Sequence, residues 1–188
     1  MRIRHHASLG LAATACLVLS GCTNAADWNA NRSSQIHSFD TSSIQAQPDI
    51  IAKLPQGALE DGVLDVAAST DYAPAEFLDP SGTAVGYDVD LTNAIAAVLG
   101  VKGKVHTAEF DSIIASIGSK YDAGISSFTV TPERTAEVDM TAYINVGSRF
   151  NVQAGNPKGV ETSDHLKLCG RTIGVQVGTA QETTMRDA

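Results

Sequence analysis

Aromatic residues and positive charge are both scarce in this 188-residue sequence. Aromatics account for 5% of the residues, and there is a single Trp. A chain this poor in aromatics, and rich in Ala, Val, Ile and Gly, favours a tightly packed α/β sheet over a β-sandwich. Lys and Arg total 13 against 21 acidic residues, so the net charge is −8, and no basic cluster is present. Nucleic acid is therefore not expected as a partner.

Cysteines are also few, and the three that are present, Cys16, Cys22 and Cys169, do not have the spacing of metal ligands. Neither a metal site nor a cofactor is predicted. With 43% hydrophobic and 18% charged residues, the chain is expected to be globular rather than disordered. Its length is sufficient for one ordinary domain, or for one domain and part of a second.

The N-terminus has the pattern of an export signal. Arg2 and Arg4 precede an apolar run over residues 7–19, which is shorter than the roughly 20 apolar residues that span a bilayer. The run ends in Leu-Ser-Gly-Cys, which resembles the lipobox of bacterial lipoproteins. We therefore expect a signal peptide at 1–21, a lipid anchor on Cys22 in the cell membrane and an extracytoplasmic location. A plain secretory signal with an incidental cysteine is the alternative.

Residues 22–60 are rich in Ser, Asn, Gln, Ala and Asp and lack a sustained helical or strand periodicity. This composition predicts a flexible tether, with room for one short helix at 48–54. Strands and helices then alternate, which predicts an α/β fold with a largely parallel sheet. The predicted strands are 63–68, 104–107 and 121–126, the predicted helices are 88–99 and 111–117, and 71–82 is a predicted loop.

Apolar residues at 91, 95, 98 and 99 define the helix at 88–99, and Gly100 follows it as a C-terminal cap. Ligands of open α/β sheets bind beyond the carboxyl ends of the strands. That rule singles out the loops 69–77 and 126–134 and a later one at 177–181, each with hydroxyls, an Arg or an aromatic residue.

Four stretches in these regions carry a family resemblance. They are Thr70-Asp71-Tyr72-Ala73-Pro74, Gly86-Tyr87-Asp88-Val89-Asp90-Leu91, residues 126–134 (SSFTVTPER) and residues 174–182 (GVQVGTAQE). Together they resemble family 3 of the bacterial solute-binding proteins, the polar amino-acid receptors of ABC importers. The resemblance implies a two-lobed fold of periplasmic-binding-protein-like type II. Lobe one, mostly present, would occupy 61–152, and the crossover and start of lobe two would occupy 153–188.

The resemblance also implies roles for individual residues. Arg134 would grip the ligand carboxylate with its planar guanidinium fork, the alternative being a surface arginine paired with Glu133 or Glu137. The carbonyl of Ser127 and the side chain of Thr129 resemble the family's acceptors for the ammonium group. Hydroxyls that merely cap the loop are the alternative there.

Tyr72 resembles the aromatic residue that lies over the ligand side chain in the family. The alternative is a buried tyrosine at the sheet edge. Phe128 is a further predicted ligand contact. Thr179 and Ala180 follow a glycine where a helix is expected to begin, and backbone amides at this place complete the carboxylate cage in the family. The hexapeptide 86–91 is interpreted as a fold marker whose acids stabilise the helix N-terminus, and not as part of the site.

The sequence departs from the family at two points in the pocket and in its length. Ala75 stands where the family has a large residue and Ser69 where it often has an acid, so a roomier pocket is expected and the specificity stays open. Lobe two of the family is longer than residues 153–188. We therefore expect a fragment or a truncated gene, a tail beyond about residue 156 that is poorly ordered alone, and a lost disulfide partner for Cys169.

The favoured function is extracytoplasmic binding of a polar amino acid and its delivery to the permease subunits of an ABC importer, without chemistry on the ligand. Three alternatives stay open at this point. An enzyme on the same fold would need a general acid or base in the cleft, for which Glu76 and Glu109 are candidates. A sensor would need a fused transmembrane and cytoplasmic part, and a non-functional truncated remnant would bind nothing.

Overall fold

A computed structural model describes residues 38–187 of the chain. The predicted signal peptide at 1–21 and the predicted lipidated residue Cys22 lie outside the described residues and stay predictions. In the described part, no helix is long and apolar enough to cross a membrane. Cys169 is exposed and free there, so its pairing also stays a prediction.

The described chain contains six strands and five α-helices. The strands are β1 (Val63–Ala68), β2 (Asp71–Tyr72), β3 (Glu76–Leu78), β4 (Ala84–Val85), β5 (Lys102–Thr107) and β6 (Ala123–Gly124). The helices are α1 (Pro48–Ile51), α2 (Tyr87–Leu99), α3 (Phe110–Ser116), α4 (Pro132–Thr135) and α5 (Ala180–Arg186), with one 3₁₀ helix at His165–Leu168.

A parallel sheet in the order β5–β1–β6 forms the centre, which confirms the predicted α/β fold. Val66 of β1 pairs with Val105 on one side and Ala123 on the other. Both faces of β1 are covered, because Val66 packs with Ala96 of α2 whereas Ala67 packs with Ile113 of α3. This burial on two faces explains why β1 is an almost continuous apolar run rather than an alternating one.

The predicted bounds of the outer strands were less accurate. β5 begins at Lys102, two residues before its predicted start, and β6 is only two residues long. Gly103 of β5 lies directly beneath α2, where there is no room for a side chain. A Cβ at this position would lie 2.9 Å from the Asn93 side-chain oxygen. Gly124 of β6 likewise lies close to α3, since a Cβ there would lie 2.7 Å from the Ile113 side chain. Both helices thus approach the sheet closely at a glycine.

The prediction of a loop over 71–82 was wrong. β2, β3 and β4 form a small antiparallel sheet, in which Tyr72 pairs with Glu76 and Phe77 with Val85. Strands of two or three residues are too short to show a period, and the prolines of this segment lie in the turns that join them.

Helix α2 confirms the predicted helix, and Gly100 ends it in the left-handed conformation, at φ 72°. The predicted apolar stripe is not its buried face. The buried residues are Asp88, Val89, Thr92 and Ala96, whereas Ile95 is 38% exposed. Small side chains at 92 and 96 face the sheet because α2 lies so close to β5, and this leaves the larger aliphatic residues at the margins of the contact.

The last part of the predicted tether contacts α2. The amide of Gln47 donates to the carbonyl of Val98 over 2.8 Å, and the amide of Phe39 donates to the Asp90 carboxylate over 2.9 Å. The division of the chain into signal peptide, tether and two lobes stays a prediction. Among the described residues, 172–177 form no strand, whereas α5 begins where a helix was expected.

Candidate functional site

A cleft of about 720 Å³ lies beyond the carboxyl ends of the parallel strands. Its walls come from the loops that follow β1, β5 and β6, and from residues 146–151 and 175–184. Six of the seven predicted ligand contacts line it together: Tyr72, Ser127, Thr129, Arg134, Thr179 and Ala180. The residues that the sequence placed in three separate loops therefore share one cavity.

Arg134 lies in the short helix α4, which Thr131 caps by accepting a hydrogen bond from the Arg134 amide. Its guanidinium donates from Nη1 to the carbonyl of Thr129 over 2.7 Å and from Nη2 to the carbonyl of Gly178 over 2.8 Å. Its partners are therefore carbonyl groups, and the alternative ion pair with Glu133 or Glu137 is not formed. Partial burial lowers the pKa of Arg134, but a guanidinium stays charged.

Aromatic rings support this guanidinium. Phe110 and Phe128 stack with their centroids 4.5 Å apart, and the guanidinium carbon of Arg134 lies 5.7 Å and 5.3 Å from these two centroids. Such cation–π contacts hold the planar fork in one orientation.

The two phenylalanines have different positions. Phe110 lines the cleft, whereas Phe128 lines a neighbouring cavity of about 440 Å³, so the expected direct contact of Phe128 with the ligand is not supported. The sequence reasoning missed Phe110, although the residue follows the carboxyl end of β5 and the rule on strand ends applies there as well.

Two serines hold the loop after β6 in place. The Ser126 hydroxyl accepts from the amide of Ser69 over 3.0 Å and donates to Oε1 of Glu76 over 2.5 Å. Ser127 has a φ of 49°, a left-handed conformation that is uncommon for a residue with a side chain. Its amide donates to the Tyr143 hydroxyl over 3.1 Å. A strained residue held by specific bonds at a cleft is typical of a functional loop.

Asp88 is part of this arrangement, which corrects the interpretation of the hexapeptide as a fold marker alone. Its side chain is 1% exposed, and its Oδ2 accepts from the Tyr143 hydroxyl over 2.8 Å and from the Ser127 hydroxyl over 3.4 Å. Burial and the adjacent Asp88 charge raise the pKa of Tyr143 far above its usual value. Tyr143 was missed because it lies 16 residues after Ser127, in a segment without regular structure.

Glu76 lines the same cleft and is fully buried. Burial raises its pKa to about 8, and the neighbouring Asp88 and Asp71 act in the same direction. Glu109, the other candidate acid, is exposed and precedes α3. No group of three or more His, Cys, Asp or Glu side chains that could hold a metal ion occurs in residues 38–187.

Tyr72 is 54% exposed and open to the cleft, so the alternative of a buried tyrosine is wrong. Ala75, where the sequence predicted a roomier pocket, does not line the cleft. Ala75 is fully buried, and its carbonyl accepts from the Asp88 amide at the start of α2 over 2.9 Å.

At the start of α5, the Thr179 hydroxyl accepts from the amide of Glu182 over 3.1 Å, and the Glu182 carboxylate accepts from the amide of Gly178 over 2.7 Å. Gly178 lies against α3, since a Cβ there would be 2.7 Å from the Cβ of Asp111. The Arg134 bond to the Gly178 carbonyl completes this contact between the two walls of the cleft.

Relatives with similar sequences are binding proteins for amino acids. The chain is 31% identical over 179 residues to the arginine-binding protein ArgT of Corynebacterium glutamicum, covering 94% of this chain and 56% of that protein. It is 33% identical over 129 residues to the L-cystine-binding protein TcyJ of Escherichia coli, covering 68% of this chain and 48% of that protein. The chain thus spans about half the length of these relatives.

Solved structures agree with the fold. The arginine-bound form of truncated ArgBP from T. maritima is 31% identical, with a TM-score of 0.58, over 76% of this chain and 63% of that one. An ancestral arginine-binding protein bound to arginine is 33% identical, with a TM-score of 0.57, over 67% of this chain and 55% of that one. The model of the bacterial extracellular solute-binding proteins, family 3, matches residues 64–186, and the chain belongs to this family.

Proposed function

We propose that this protein binds a polar amino acid in the cleft and delivers it to the permease subunits of an ABC importer. The observation that carries the proposal is the position of Arg134 in a cleft that also holds hydroxyls and exposed aromatic surface. The relatives are named for arginine, cystine, lysine and ornithine, which all present a carboxylate and an ammonium group.

The carboxylate would bind at Arg134. A guanidinium has five N–H donors, and two of these are used by the carbonyls of Thr129 and Gly178. The three that are left are sufficient for a bidentate grip on a carboxylate. Because the rings of Phe110 and Phe128 already hold the guanidinium, little side-chain entropy would be lost on binding.

The ammonium group and the side chain would occupy the rest of the cleft. The carbonyl of Ser127 and the hydroxyl of Thr129 supply acceptors for the ammonium group, and both residues line the cleft. Tyr72 and Phe110 supply aromatic faces on which an aliphatic or cationic side chain can pack. Thr179 and Ala180 form the opposite wall, so a ligand would touch both walls and favour their approach.

In this proposal the protein does no chemistry on the ligand. It is located outside the cytoplasm and is attached to the cell membrane through a lipid on Cys22. The attachment rests on the sequence pattern that ends at Cys22. Mass spectrometry of the N-terminal peptide from the membrane fraction tests it, since a Cys22→Ala variant would lose the lipid mass and leave the membrane.

Binding is tested by titration calorimetry of the full chain with arginine, lysine, ornithine and cystine, and by a thermal-shift screen of all twenty amino acids. The best ligand is then compared with its carboxamide in wild type and Arg134→Lys. We expect Arg134→Lys to weaken the acid about 30-fold, because lysine keeps the positive charge but loses the bidentate pair of hydrogen bonds to the carboxylate, and to weaken the carboxamide far less. Arg171→Lys, at an exposed position outside the cleft, is the matched control. Binding of no amino acid, or equal losses for acid and amide, would contradict the proposal.

A further inference from the structure

Glu76 and Asp88 are two buried acids that the proposed binding mode leaves without a role. Glu76 comes from β3 and Asp88 from the first turn of α2, and their side chains are 0% and 1% exposed. The two carboxyl groups adjoin. Oε1 of Glu76 accepts from the Ser126 hydroxyl, and Oδ2 of Asp88 accepts from the hydroxyls of Ser127 and Tyr143. Oε2 of Glu76 and Oδ1 of Asp88 have no partner in the described part of the chain.

The charges around this pair do not neutralise it. Asp71 of β2 faces Glu76 and adds a further negative charge, and Tyr143 faces Asp88 with a neutral hydroxyl. No Lys, Arg or His forms an ion pair with either acid in residues 38–187. Two adjacent buried carboxylates without a counter-ion are strongly unfavourable, and a single shared proton removes the repulsion between them.

Each acid supports the loop 126–129 by a different hydrogen-bonded path. Glu76 holds the hydroxyl of Ser126, which in turn accepts from the Ser69 amide. Asp88 holds the Tyr143 hydroxyl, which in turn accepts from the amide of Ser127. The strained conformation of Ser127 is therefore stabilised through the acid pair, and the carbonyl that Ser127 offers to the ligand depends on it.

We propose that Glu76 and Asp88 share one proton and act as positioning residues for the loop 126–129, so that ligand binding weakens when this proton is lost. The inference rests on the proposed function, because it concerns the same cleft. It adds that ligand binding is sensitive to alkaline pH. The groups that cause this sensitivity are Glu76 and Asp88, and not the groups proposed to bind the ligand.

The direction of the pH effect follows from Glu76. Burial raises the pKa of Glu76 from its ordinary value of 4.5 to about 8 in the folded chain. The stability that this group contributes is therefore full below its ordinary pKa and is lost as the pH rises through the folded pKa. Above that point both acids are ionised, and their repulsion displaces the serines that they hold.

The experiment measures the dissociation constant of the best amino acid from about pH 6 to about pH 9 for wild type, Glu76→Gln and Asp90→Asn. Glutamine retains the acceptor for Ser126 and donates permanently to Asp88. We expect wild-type affinity to fall about tenfold more than that of Glu76→Gln at one pH unit above the Glu76 pKa. Asp90→Asn, two residues from Asp88 but bonded to Phe39, follows wild type. Ionisation of the ligand affects all three proteins equally.

The same pH profile for Glu76→Gln and wild type would overturn the proposal. A second measurement needs no ligand. Isotope-edited infrared spectroscopy of the full wild-type chain, labelled at Glu, is expected to show a protonated carboxyl band at about pH 7 that disappears near the raised pKa. Absence of this band at neutral pH would equally overturn the proton-sharing pair. If no amino acid binds wild type at any pH, the proposed function fails, and the band still decides whether the pair exists.

Discussion

Residues 63–126 and residues 127–187 both contain large apolar side chains, but the two regions bury them to very different extents. Every buried side chain in the described part of the chain lies in the first region, which also contains the two hydrophobic clusters on either side of β1. The second region keeps large apolar side chains in solvent, such as Val146 at 67% and Val177 at 61% exposed. A sheet covered on both faces is what makes burial possible, and hydrophobic content alone does not provide it.

The candidate site lies where these two regions meet. Arg134 donates to Gly178 and Gln181 donates to Ser148, both within the second region, whereas Gly178 packs on Asp111 of the first. One wall of the cleft is therefore supported by the core, and the other is attached through a few hydrogen bonds. The comparison implies that substitutions in the first region change global stability, whereas those at the junction change local opening and ligand affinity.

The largest expected effect is a cavity beneath the ligand loop. Ile113 is fully buried between Ala67 and Tyr121, so Ile113→Ala is expected to lower the free energy of unfolding by about 4 kcal/mol. Ile173→Ala, at a half-exposed position of the second region, is expected to cost less than about 1 kcal/mol. Urea unfolding measures both free energies. Similar losses in the two variants would contradict the expected difference in stability between the regions.

A glycine substitution should give the next largest effect. Gly86 has a φ of 124°, and a Cβ there would lie 2.2 Å from the carbonyl oxygen of Ala75. Gly86→Ala is expected to cost about 3 kcal/mol, because the start of α2 must move away from the small sheet. Gly170→Ala, at a φ of 73° but with open space around it, should cost only about 1 kcal/mol. Thermal unfolding of the two variants separates the steric effect from the conformational one.

The smallest expected effect is at the junction. Gly178→Ala places a methyl group against Asp111 and should weaken the Arg134 bond to the Gly178 carbonyl. Since a hydrogen bond is worth about 1 kcal/mol, amide exchange in residues 179–186 is expected to become about fivefold faster, with global stability almost unchanged. Gly174→Ala, which meets nothing, is the control. Loss of global stability in Gly178→Ala would show that the second region belongs to the same folding unit as the sheet.

Much of the fold could be predicted because the relevant signals are local. The apolar run at 63–68, the helical period before Gly100 and the glycine before Thr179 each predicted an element that is present. The small antiparallel sheet could not be predicted, because its strands are two or three residues long. Residues 172–177 form no strand among the described residues.

The candidate site divides in the same way. Arg134 and Thr129 lie close together in the sequence and follow a strand, so the rule on strand ends located them. Phe110 and Tyr143 were not located in this way, because their contacts join distant parts of the sequence. Phe110 stacks on Phe128, and the Tyr143 hydroxyl donates to Asp88, 55 residues away.

By itself, the sequence determined the family, the central parallel sheet and the loops that carry the candidate ligand contacts, because these depend on periodicity and on motifs of adjacent residues. Only the tertiary structure decided which face of α2 is buried, that Phe128 stacks on Phe110, and that Glu76 and Asp88 are neighbours. The physical reason is that burial and charge interactions depend on the distances between elements. A sequence pattern indicates only which residues are close together within one element.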